Sequence, residues 1–129
     1  MAKFFLLFAA TNGMIAVILG AFGAHALKDS ISPALLSAYQ TGVQYHFIHV
    51  LALIGLALFI LRLPVTVAVP TLLIVAGYLW VVGLVLFSGS LYGIAIGAPS
   101  WFGPITPLGG SLLIIGWLCF AIGIARSSF

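Results

Sequence analysis

His46 and His49 are the residues of this sequence best equipped for chemistry. Three positions apart, they share one face of a helix, and Tyr45 stands one turn before His49. An imidazole can donate and accept hydrogen bonds, ligate a metal or exchange a proton. Zinc asks for three or four ligands. Beyond this pair the chain offers only His25, at the surface end of one apolar segment, and Cys119, in the inner half of another. So scattered a set implies no metal. Two histidines on one helix cannot embrace both faces of a haem, which leaves single-histidine ligation or a haem shared with a partner chain. A quinone would need only one hydrogen-bonding histidine beside an apolar slot. Catalysis lacks its parts: Asp29 is the sole carboxylate, and no serine stands in a nucleophile elbow or beside a paired base and acid. A proton-coupled transporter draws on buried carboxylates or histidine chains, for which only this pair would serve. The residues therefore imply no cofactor and no enzyme.

The elements that must hold these side chains are set by composition. The 129 residues are 64% apolar and 4% charged, whereas soluble domains run at roughly 25% charged. Such a chain cannot cover a water-facing surface, so it is expected to be one transmembrane domain spanning 1–129, with the lipid bilayer as its main partner. The net charge of +3 comes from Lys3, Lys28, Arg62 and Arg126 against Asp29, spread singly. Nucleic acid, which calls for clustered basic residues, is excluded as a partner. One cysteine rules out an internal disulfide and any CxxC motif.

Four apolar runs follow one another. The first, Phe4 to Ala24, is long enough at 1.5 Å per residue to cross a hydrocarbon core of roughly 30 Å. Lys3 and the Ala24-His25-Ala26 triplet resemble the ends of a signal peptide, but the run exceeds a usual apolar h-region, so it is expected to remain as a helix. Ser32-Pro33 reads as an N-cap followed by proline at the first helical position. The second helix runs from there to Arg62 and is too long for a simple span. Its first third mixes Leu35, Leu36 and Tyr39 with Ser37, Gln40 and Gln44, which suits an interfacial or leaning segment bent at Gly42. A third helix is expected from Val65 to Phe87, with Pro70 in its first turns and a short extension to about residue 90. Thr106-Pro107 repeats the cap signal and opens a fourth helix, 107–125. The result is an all-α, four-helix membrane bundle.

Lys3, Arg62 and Arg126 gather at one end of such a bundle and Lys28 at the other. The positive-inside rule then places both termini in the cytoplasm. Most of the unusual polarity gathers at the opposite end: His25, Gln40, Gln44, Tyr45, His46, His49, Ser88, Ser90, Tyr92 and Thr106. These groups either satisfy one another and the helix ends, as lipid requires, or line an outer-leaflet pocket with His49 at its floor. Asn12, Gln44, Ser88 and Thr106 are candidate partners for the imidazoles. Gly20 and Gly23 on the first helix, and Gly109 and Gly110 on the fourth, mark faces where another backbone can approach closely.

Four stretches carry a resemblance: GAFGAHAL at Gly20 to Leu27, QTGVQYHFIH at Gln40 to His49, LFSGSLY at Leu86 to Tyr92 and TPLGG at Thr106 to Gly110. Together they resemble the YgdD-like proteins, small uncharacterised bacterial inner-membrane proteins under a domain-of-unknown-function label, with a eukaryotic transmembrane relative. The likeness covers nearly the whole chain. It implies a four-helix protein of the bacterial inner membrane and brings no established activity. The family pattern has histidines at the positions of His25 and His49 and matches His46 less regularly. The reading preferred on these grounds is a non-enzymatic accessory, assembly or interaction component, whose glycine faces pack against a second copy or a larger complex. The rival is binding or transport of a quinone, lipid or small solute in the outer pocket.

Overall fold

The structure, a computed structural model, describes residues 1–127; the last two residues of the expected domain lie outside the described residues. Four helices account for it: α1, Ala2–Phe22; α2, Pro33–Arg62; α3, Thr71–Ala95; and α4, Ile105–Ala125. All four are long and apolar enough to cross a membrane. The central pair is α2 with α3. The first helix packs against α2 and the last against α3, the closest pairing in the molecule. Phe5, Leu53, Leu56, Leu73, Trp80, Leu84 and Leu113 form the buried core between them.

The helix ends follow local chemistry. Ser32 accepts a hydrogen bond from the Leu35 N–H, and Pro33 opens α2 as the sequence indicates. From there α2 runs without interruption to Arg62. Gly42 sits inside this helix. It is the point where α2 meets α3, since a Cβ there would lie 3.0 Å from the Tyr92 ring and 3.2 Å from Leu91 Cβ.

Three helices have bounds that differ from the sequence reading. The regular part of α1 starts at Ala2 and gives way at Gly23 to a π-helical turn, Gly23–Leu27. The cause is Tyr39: its ring lies where a Cβ of residue 23 would be, and its hydroxyl donates to the Leu19 carbonyl. The third helix starts at Thr71 rather than Val65, with Pro70 as its cap. Pro70 has no N–H to give, and it pushes Val69 out of the helical region, so the apolar 65–69 stretch stays a turn. At the other end α3 continues to Ala95, and Gly97, at φ +92°, turns the chain out. The fourth helix starts at Ile105, capped by Pro104. Pro107 thus falls later in the first turn, where a missing N–H still costs nothing. The Thr106 hydroxyl, freed from capping, reaches across to Ser90.

The tight pairing of α3 with α4 rests on Gly109, Gly116 and Gly123, all buried at a heptad spacing on one face of α4. A Cβ at Gly109 would fall on the Phe87 backbone, at Gly116 on the Trp80 indole and at Gly123 on Leu73. Without a hydrophobic drive between helices in lipid, such close packing supplies the attraction.

Candidate functional site

The buried polar side chains form a layer toward the end of the bundle that carries the α1–α2 and α3–α4 connections. His46 and His49 are 4% and 2% exposed, and Ser88 and Ser90 are equally enclosed. Counting back from Arg62 at 1.5 Å per residue puts His49 about 20 Å, and His46 about 24 Å, along α2.

His49 is committed at both nitrogens. Its Nδ1 lies 2.8 Å from the Tyr45 carbonyl, which can only accept, so Nδ1 carries the hydrogen. Its Nε2 accepts from the Trp117 indole N–H at 3.1 Å. One neutral tautomer satisfies both bonds. A second proton would set two N–H groups against each other and break the link to α4.

His46 belongs to a longer chain of bonds. The Asn12 amide nitrogen donates to the Phe8 carbonyl at 2.9 Å, which orients the amide and leaves its oxygen as acceptor. His46 Nε2–H donates to that oxygen at 3.2 Å, and Nδ1 receives the Tyr92 hydroxyl at 3.0 Å. The run Tyr92 to His46 to Asn12 to the Phe8 carbonyl therefore ties α3, α2 and α1 in one direction.

The two serines clasp different neighbours. Ser88 donates to the Gly42 carbonyl of α2 at 2.8 Å. Ser90 donates to the Phe87 carbonyl at 2.9 Å, so at its 2.6 Å contact with Thr106 the threonine on α4 is the donor. One buried polar atom has no partner among the described residues, the Trp80 indole nitrogen, which lies against Gly116.

The sequence-derived set does not come together in one pocket. His46, Ser88 and Tyr92 line a small groove of about 180 Å³ with Asn12 between α1, α2 and α3. Tyr45 and His49 line a larger groove of about 490 Å³ with Phe87, Gly110 and Trp117. Gln40 and Gln44 line a third, about 260 Å³, with Gly20, Gly23 and Tyr39. Both glutamines are exposed on the outer face of α2. Ser90 and Thr106 bond to each other outside these grooves, and His25 is exposed in the π-helical turn. Of the four expected imidazole partners Asn12 is found; Gln44, Ser88 and Thr106 bond to neither buried imidazole. The sequence reading missed Trp117, Tyr39 and Trp80. An indole donor in an apolar helix was a signal for a buried acceptor, but nothing in spacing linked Trp117 to His49 across 68 positions.

The glycines also separate. A Cβ at Gly23 would fall on the Tyr39 ring and one at Gly109 on the Phe87 backbone, whereas Gly20 and Gly110 would make only ordinary contacts, 3.4 Å from Val43 and 3.5 Å from the Phe87 ring. Gly23 and Gly109 thus serve packing inside the chain.

A family model described as "Protein of unknown function (DUF423)" matches residues 19–110, which include the Tyr39 contact, both buried histidines and both serines. The chain is 42% identical over 124 residues to the UPF0382 membrane protein YwdK of Bacillus subtilis, covering 96% of this chain and 98% of that one. It is 37% identical over 123 residues to a UPF0382 membrane protein of Haemophilus influenzae, covering 95% and 94%. Against the UPF0382 inner membrane protein YgdD of Escherichia coli the figures are 36% over 125 residues, 97% and 92%. No solved structure matches the chain. Four spanning helices and full-length likeness agree: this is a multi-pass membrane protein and belongs to the uncharacterised DUF423 family.

Proposed function

We propose that this protein is a non-enzymatic membrane component that docks onto another transmembrane helix, a second copy or a larger complex, with both termini in the cytoplasm. The observation that carries the reading is a division of the polar groups. Inside the bundle His46, His49, Ser88, Ser90 and Thr106 are bonded to neighbouring side chains or to backbone, which leaves neither buried imidazole a free lone pair for acid–base work or a metal. On the outside, Gln40 and Gln44 stand one turn apart with no hydrogen bond to any described residue. Polar side chains on a membrane helix are a recurrent means of helix association, and the groove they share with Gly20 and Gly23 gives a partner helix a place to lie.

Purification of the tagged chain from native membranes in mild detergent, with light scattering and mass spectrometry, tests this. A second copy or another subunit at fixed stoichiometry, lost when Gln40→Leu and Gln44→Leu are combined, is the expected result. A monomer with no companion protein, or a companion retained by the double variant, refutes it.

A further inference from the structure

A groove of about 490 Å³ lies between α2 and α4, floored by Phe87 of α3. Three aromatic rings wall it: Tyr45, Phe87 and Trp117, with aliphatic side chains of both helices beside them. It opens sideways to the bilayer, since Tyr45 is 39%, Trp117 42% and Ile114 71% exposed. Trp117 is held in place by its bond to the buried His49 and by packing on Trp80 and Phe120. Gly110 keeps the space open. Its neighbour Gly109 is required by the Phe87 backbone, but Gly110 meets nothing closer than 3.5 Å, so a side chain there would extend into the groove rather than into α3.

The lining also describes the occupant. It holds no charged residue, which disfavours a phosphate-bearing headgroup. The tilted Tyr45 and Phe87 rings and the Trp117 indole offer a planar ring face and edge contacts that the saturated rings of a sterol do not gain. Both His49 nitrogens and the Trp117 N–H are occupied, whereas the Tyr45 hydroxyl bonds to no described residue and is free to donate. The groove volume lies in the range of small-molecule sites. We propose that this groove binds the head ring of an isoprenoid quinone entering from the bilayer, with a ring carbonyl on the Tyr45 hydroxyl and the tail left in lipid. The site is separate from the Gln40–Gln44 face and does not depend on the docking reading.

The test uses the full chain in phosphatidylcholine nanodiscs, titrated with decylubiquinone and followed by tryptophan quenching. A Trp101→Phe background removes the remote tryptophan of the Ser100–Phe102 turn and leaves Trp80 and Trp117 as reporters. Saturable quenching is expected, abolished by Gly110→Leu, which fills the groove. Tyr45→Phe keeps the ring and should weaken binding roughly 2- to 10-fold, the effect of one hydrogen bond. Non-saturating quenching overturns the proposal. So does a dissociation constant unchanged in Gly110→Leu or in Tyr45→Phe, or equal displacement of the quinone by n-decane, which would make the groove an alkyl site.

Discussion

Gly109 and Gly110 are adjacent, yet alanine should act on them in opposite directions. At Gly109 an added Cβ falls on backbone: Leu86 C and Phe87 Cα lie at 2.9 Å and the Phe87 nitrogen closer still, whereas ordinary contact begins at 3.4 Å. No side chain can swing aside, so bringing the Phe87 nitrogen out to ordinary contact moves α4 off α3 by about 1 Å, and a gap of that size forfeits roughly half of the dispersion energy at each contact it opens. Those contacts include Gly83 on Leu113, Gly116 on Trp80 and Gly123 on Leu73. Overpacking costs about 1–3 kcal/mol, and a backbone clash belongs at the upper end. After an offset of about 1 kcal/mol from alanine's better helix propensity, Gly109→Ala should lose about 2 kcal/mol. At Gly110 the new methyl group meets the Phe87 ring at 3.5 Å, so only the propensity gain remains, and the change is neutral or stabilising by up to about 1 kcal/mol. The assay is reversible unfolding of the purified chain in mixed micelles as the SDS fraction rises, followed by circular dichroism. Equal midpoints for the two variants, or a greater loss at Gly110, would refute the reasoning about the α3–α4 contact.

Two further outcomes are expected. A double-mutant cycle of His49→Phe and Trp117→Phe in the same unfolding assay should give a coupling near 0.6 kcal/mol and not above about 1.7 kcal/mol, as for other hydrogen bonds between membrane helices; a coupling of zero would mean the indole and imidazole do not bond. In a Cys119→Ser background, Ser30→Cys should react with a membrane-impermeant maleimide added outside intact cells and Thr66→Cys should not, and the reverse pattern would invert the proposed orientation.

The parts of the fold legible in the sequence were those governed by neighbours in the chain. Ser32 and Pro33 mark the start of α2 because capping is a local matter of three residues. The apolar runs give four spans because length and hydropathy suffice. Hydropathy could not place the start of α3, since Val65 to Val69 is as apolar as a span and only the effect of Pro70 on its predecessor separates turn from helix. The π-helical turn was illegible for another reason: Gly23 is shaped by Tyr39, and a contact across a helix pair leaves no periodic trace. The same holds for the candidate site. Composition singled out the histidines and serines, and depth in lipid implied that they would need partners. Which partner each takes depends on helix rotation, so the sequence offers Asn12 only as one of several partners and gives no sign of Trp117. Gln40 and Gln44 share the depth of the inward polar residues, and sequence shows that depth but not which side of α2 they occupy.

The bond from Trp117 to His49 also bears on how the protein is made. Helices enter the membrane in order of synthesis, so α1, α2 and α3 can assemble, with the chain from Tyr92 through His46 to Asn12 complete, before α4 emerges. During that interval the Nε2 of His49 has no donor, and Ser90 lacks Thr106. The arrival of α4 closes both at once. A chain that stops short of Trp117 thus leaves the His49 Nε2 without the donor it has in the complete bundle.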